Sequence, residues 1–141
     1  MKIYSIMLFV LMFTTFQLQA TSTNKSLALS TCLTDSLNGK ERKELAKWIY
    51  FGMSQHSTIK PYSNISNDDQ IQMDQYLGKL MTRLLTVDCK SIVKSALEAD
   101  SNSLEAAFGV VGRVAMEELM REKSVSRTLE QFSEYVDIDE F

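Results

Sequence analysis

The sequence predicts an all-α protein: a single-domain bundle of five or six helices carrying one disulfide. Three observations lead there. After residue 20, apolar residues recur three and four positions apart, and no stretch alternates apolar and polar over the length of a strand. Leu, Met, Ala, Glu and Lys are frequent, while proline occurs once, at Pro61, and glycine five times. Only two cysteines, Cys32 and Cys89, are present in a chain whose first residues have the layout of an export signal.

That layout consists of Lys2, an apolar run of 14 residues from Ile3 to Phe16, and Gln19-Ala20 before a polar stretch. It predicts a signal peptide over residues 1–20, cleaved after Ala20. The run is short for a hydrocarbon core that takes about 20 residues to cross. An N-terminal membrane anchor is the alternative, because Leu18 is larger than the residue usual at the third place before a cut. No cysteine follows the run, which excludes a lipoprotein cut. The remaining 121 residues suit one domain, 21–141, with 14 basic against 18 acidic residues and a net charge of −4. Such a balance disfavours nucleic acid or an anionic membrane as the main partner, and no stable membrane insertion is expected after cleavage.

Within the exported region the first helix is expected from about Lys25 to Leu37, with Leu29, Cys32, Leu33 and Leu37 on one stripe. Asn38-Gly39 breaks it. Asn38 with Glu41 three residues on forms the pattern of a capping box, opening a second helix to about His56. Its stripe is Leu45, Trp48, Ile49, Gly52, Met53 and His56. Ser57 to Asn67, with Pro61 and several hydroxyls, reads as the one long loop. Ser66 with Asp69 caps a third helix whose Met73, Leu77, Leu80, Met81 and Leu84 face the core, and Asp88 marks a kink or a new start. Ile92, Val93, Ala96 and Leu97 share a face with Cys89, so a bridge to Cys32 would join two buried stripes. Asn102 with Glu105 repeats the capping pattern before Leu104, Phe108, Val111, Ala115 and Leu119. Ser124 or Ser126 opens a last helix with Val125, Leu129, Phe132 and Val136, followed by an acidic tail over residues 137–141.

An even pair of cysteines in an exported chain reads as one disulfide. Closing 57 positions would stabilise the fold by about 4 kcal/mol on the chain-entropy account. The chain has no CxxC and a single histidine, so it offers neither a metal site nor redox chemistry, and no cofactor is expected.

Candidate functional residues are few. His56 is the one imidazole, expected at the end of the second helix, where orphan carbonyls and the helix dipole suit a histidine that does no chemistry. Catalysis would need a site assembled around it in three dimensions, since no GxSxG, free thiol or acid at a defined spacing accompanies it. The paired carboxylates Asp68-Asp69 and Glu117-Glu118 sit at a helix start and on a polar face, where charges are usually solvated. Gly109 and Gly112 interrupt a strong helix at about 1 kcal/mol each relative to alanine. Close packing inside the protein is the expected reason, with a dimer or partner face as the alternative. Ile59, Pro61, Tyr62 and Ile65 give the loop an apolar character that suits recognition, unless they fold back beside Trp48. Phe141 ends the tail, either as a terminus captured by a partner or packed on the last helix.

The stretches Leu29-x-x-Cys32-Leu33, Leu37-Asn38-Gly39-Lys40, Leu45-Ala46-x-Trp48-Ile49 and Phe108-Gly109-x-Val111-Gly112-x-x-Ala115 resemble small exported helical proteins of gammaproteobacteria. The resemblance implies a periplasmic address and no activity or functional residue. Type VI amidase immunity proteins share the architecture alone, as do periplasmic acid-stress chaperones. The function expected is therefore a small periplasmic protein-interaction module with a binding, inhibitor or immunity-like role. An enzyme built around His56 and a stress chaperone are the alternatives.

Overall fold

The computed structural model describes residues 23–137. The expected signal peptide and the terminal Phe141 lie outside them. Six α-helices and no strand occur among the described residues: α1 (23–35), α2 (Gly39–Ser54), α3 (Asn67–Arg83), α4 (Lys90–Ala99), α5 (Ser103–Met120) and α6 (Lys123–Glu130). Short 3-10 turns occupy Lys60–Tyr62 and Gln131–Tyr135, and a π-helical turn covers Leu84–Asp88. No described helix is long and apolar enough to cross a membrane. The described residues divide into two compact units, 23–36 with 78–111 and 37–77 with 112–137. Each is made of two separate stretches, so neither follows from a linker in the sequence.

In the first unit α1 buries Leu29 and Leu33, while Cys32 is half-buried beside them. Its hydroxyl residues stay compatible with a helix because Ser30, Thr31 and Thr34 donate to carbonyls four residues back, at 2.9 to 3.0 Å. The second half of α3 brings in Leu80, followed by Leu84 of the π-turn. Ala96 of α4 and Ala107 and Val111 of α5 complete this core.

The turn at Leu84–Asp88 resolves the kink expected at Asp88. Cys89 N–H donates to the Leu84 carbonyl five residues back, at 2.9 Å, and α4 starts one residue later. Cys89 is buried there and bonded to Cys32, with the two Cα atoms 6.0 Å apart. Arg83 holds the same junction. Its guanidinium stands 2.9 Å from the Asp88 carboxylate and donates to the Ser36 carbonyl at the end of α1, at 3.2 Å. A second polar tie lies at the α4–α5 corner, where the buried Ser103 hydroxyl donates to the Ala96 carbonyl at 3.0 Å.

The second unit contains α2, the first half of α3, the second half of α5, and α6. Asn38 caps α2 as its spacing predicts: its side chain accepts from Glu41 N–H, and its own N–H donates to the Glu41 carboxylate, both at 3.0 Å. Ser66 and Asp69 do the same for α3, with Ser66 N–H on the carboxylate at 3.0 Å and Asp69 N–H on the hydroxyl at 3.1 Å. Leu37, Leu45, Ala46, Met73 and Ala115 are buried.

Two expected stripes are corrected. On α2 the buried side follows Glu41, Leu45 and Ala46, whereas Met53 and His56 are exposed and Trp48 is 38% exposed. The helix stops at Ser54, which is buried with its hydroxyl on the Phe51 carbonyl at 2.6 Å. Trp48 moves to the rim because its indole N–H finds its acceptor there, the Asp74 carboxylate at 3.2 Å. On α4, Leu97 is exposed while Ala96 is fully buried.

A Cys32→Ser/Cys89→Ser variant is expected to lose about 2–4 kcal/mol of unfolding free energy, read by urea denaturation. An unchanged midpoint would show that the noncovalent contacts of the first unit hold it alone.

Candidate functional site

The large apolar side chains left exposed are unevenly shared. Among the described residues twelve belong to the second unit and three, Leu27, Val87 and Leu97, to the first. Scattered exposed apolar residues need no explanation, but a concentration of them marks a surface where another molecule binds.

The concentration is greatest at the C-terminal end of the second unit. Val125 of α6 is half-buried, and exposure then rises along the chain to 54% at Leu129, 69% at Phe132 and 87% at Tyr135. Val136 is exposed too. Local geometry makes these residues a row. In an α-helix Val125, Leu129 and Phe132 share a face at spacings of four and three. The 3-10 turn over Gln131–Tyr135 eclipses residues three apart and so brings Tyr135 into line with Phe132. The α-helical stripe read from the sequence ended on Val136 and passed over Tyr135. Only the change of period reveals the tyrosine. Lys123, Arg127 and Glu130 lie on the other side of α6, leaving the row itself free of charge.

The loop expected between Ser57 and Asn67 is more ordered than its composition suggests. The His56 carbonyl accepts from the N–H groups of Ile59 and Lys60, both at 2.9 Å, and Pro61 sits at the start of the 3-10 turn, where its missing N–H costs nothing. Ile59, Pro61 and Tyr62 are exposed, and Ile65 is half-buried. Tyr62 does not fold back over the core. His56 is exposed at the head of this loop, one residue beyond the cap of α2, and its Nδ1 accepts from Thr58 N–H at 3.3 Å. Its ring therefore organises its own turn, without a carboxylate in the role of an orienting acid.

Between α2 and α3 runs a groove of about 330 Å³, walled by Lys40, Glu44 and Lys47 on one side and Asp69, Gln72 and Tyr76 on the other, over Phe51 and Met73. Its charges largely answer one another. Lys47 lies 2.5 Å from Glu44. The Ser66 hydroxyl and then its N–H hold the Asp69 carboxyl below its ordinary value, and Lys47 adds a smaller pull. A rim of alternating, mutually compensated charge does not select an ion of either sign. Among the described residues no cluster of His, Cys, Asp and Glu is arranged to hold a metal.

Gly109 and Gly112 do not mark the close internal packing expected of them. A Cβ built at either position meets nothing within 4 Å. Both lie inside α5, so among the described residues no close approach at the Cβ position offsets their cost in helix propensity.

The chain matches no family model, no curated protein and no solved structure.

Gly109→Ala and Gly112→Ala are each expected to raise unfolding free energy by about 0.5–1 kcal/mol, measured by chemical denaturation. A loss of stability at either would show that a side chain there is not tolerated. The Asp69 cap gives a pH signature. The carboxyl titrates lower in the folded protein than in the unfolded chain, so its contribution is complete above the unfolded value of 3.8 and is lost as pH falls through the folded one. Asp69→Asn should flatten the fall of melting temperature over that acid range, and curves that stay parallel would remove the cap from the account.

Proposed function

We propose that this is a small exported protein that works by binding another protein, and that the second unit carries the binding surface. The observation that carries the reading is the row of Leu129, Phe132 and Tyr135, apolar, free of charge and increasingly exposed toward its end. Such a row has the anchor spacing of an amphipathic helix that lays its apolar face into a groove of a partner. Aromatic residues such as Phe and Tyr are enriched in interface cores, and Tyr is a frequent hot-spot residue, because each removes a large rigid area from water at little cost in rotamer freedom.

Export is supported by the apolar run at residues 3–16 followed by Gln19-Ala20 and by the Cys32–Cys89 bond, which persists in oxidising compartments. The resemblance to small exported gammaproteobacterial proteins makes the periplasm the address within this reading. An enzyme assembled around His56 draws no comparable support, since the imidazole is exposed and its Nδ1 is engaged by its own turn rather than by an orienting acid.

The disulfide-bonded protein, used as bait in an extract of the exporting compartment, is expected to retain a partner that a Phe132→Ser/Tyr135→Ser variant does not. Because both side chains are exposed, the variant's melting temperature should match that of the parent. Equal retention by parent and variant would rule out this surface.

A further inference from the structure

We infer that the Cys32–Cys89 bond is a directional thiol-exchange site: an incoming thiolate is accepted at Cys32, and Cys89 is the sulfur released. The two sulfurs differ first in access. Cys89 is 1% exposed, whereas Cys32 is half-buried in the last turn of α1. The main chain at Cys32 is covered by its own helix, with its carbonyl accepting from Ser36 N–H at 3.0 Å. What reaches water there is therefore the outer side of the side chain. A nucleophile arriving from solvent meets Cys32 Sγ before it can meet Cys89 Sγ, and access decides which sulfur of a disulfide is attacked.

The sulfurs differ again in how well each holds a negative charge. Cys89 is the N-cap of α4 and its side chain makes no capping hydrogen bond, so the first N–H groups of that helix lack a side-chain acceptor from it. A thiolate at this position supplies one, at the positive end of the helix dipole. The Ser36 hydroxyl stands 3.8 Å from Cys89 Sγ, and it is the donor in that contact because a bonded sulfur carries no hydrogen. Cys32 Sγ instead faces the Asp88 carbonyl oxygen, also at 3.8 Å, an acceptor that disfavours charge on it. Arg83 favours neither sulfur, since Asp88 answers its charge.

The external thiolate attacks Cys32 Sγ in line with the S–S bond. A new bond joins its sulfur to Cys32, the Cys32–Cys89 bond breaks, and the electron pair leaves on Cys89 Sγ. The incoming sulfur is oxidised and the Cys89 sulfur reduced, so the number of disulfides is unchanged and no proton moves. Arg83 still joins Asp88 to the Ser36 carbonyl, which keeps α1 beside the π-turn while the bond is open. Cys89, with its Cα 6.0 Å from that of Cys32, reverses the step by attacking Cys32 Sγ and expelling the thiol. The chain has no further cysteine to pass the exchange onward, so its bond is a substrate of thiols and not a catalyst.

The test is to incubate the disulfide-bonded protein with reduced glutathione, quench at intervals in acidic denaturant containing N-ethylmaleimide, and map both cysteines by mass spectrometry. Protein that has opened once should carry glutathione on Cys32 and maleimide on Cys89, in about ten-fold excess over the reverse arrangement. The rate of opening should not rise in urea below the unfolding transition, because the folded protein is what reacts. Ser36→Ala should slow opening several-fold and leave the glutathione on Cys32. Glutathione found on Cys89, or equally on both cysteines, overturns the inference. So does an opening rate that follows the unfolded fraction, since exchange would then report unfolding and not a site. An unchanged rate in Ser36→Ala overturns the role given to the hydroxyl in holding the released thiolate.

Discussion

The first unit is organised around one covalent constraint, the bond between Cys32 in the last turn of α1 and Cys89 just after the π-turn. Its core has four leucines, Leu29, Leu33, Leu80 and Leu84, but at α4 and α5 it is completed mainly by alanines. Alanine lets helices approach closely yet removes little apolar surface from water, so such a core returns less free energy than one filled with large side chains. The disulfide compensates by restricting the unfolded chain. The π-turn is the local adjustment that goes with it: one wider turn separates α3 from α4 and leaves Cys89 buried at the junction. Arg83, reaching both Asp88 and the Ser36 carbonyl, holds the same point by electrostatics that the sulfurs hold by a bond.

The second unit is held differently. Its helix starts are fixed by reciprocal capping at Asn38–Glu41 and Ser66–Asp69, and α2 is tied to α3 by the Trp48 indole on Asp74, which also accepts from Gln70. These are local, directional contacts that leave much apolar surface unused. The excess of exposed large side chains in this unit is the consequence, and the row on α6 is its most concentrated part. A protein stabilised by caps and a covalent bond can leave apolar residues exposed for a partner without sacrificing its own fold.

Helix identity and most helix starts were legible in the sequence because they depend on nearest neighbours in the chain. The Asn38 and Ser66 caps involve residues three apart, and the buried positions Leu29, Leu33, Met73, Leu80, Val111 and Ala115 follow from period alone. The errors share a cause. Trp48, Met53 and Leu97 are large apolar residues at the edge of a stripe, and periodicity cannot say whether a neighbour arrives to cover that edge. Gly109 and Gly112 suggested a close approach, but a missing side chain records only that contact is permitted. Tyr135 falls outside the α-helical stripe because a tightening from α to 3-10 geometry changes which residues align, and composition does not announce it.

The sequence by itself determined that the chain is helical, where most of its helices begin and that its two cysteines could pair, since these are set by local propensity, capping geometry or count; α6 instead starts at Lys123, one residue before the expected Ser124, with no side-chain cap. The sequence placed the paired carboxylates on solvated faces, whereas His56, which its period put on the apolar stripe of α2, is exposed. Only the tertiary structure decided how widely the helix must open before Cys89, which edge of each stripe is covered, and where apolar surface is left over. Those outcomes depend on segments distant in the chain, and the free energy of covering a side chain belongs to the pair that meets rather than to either residue alone.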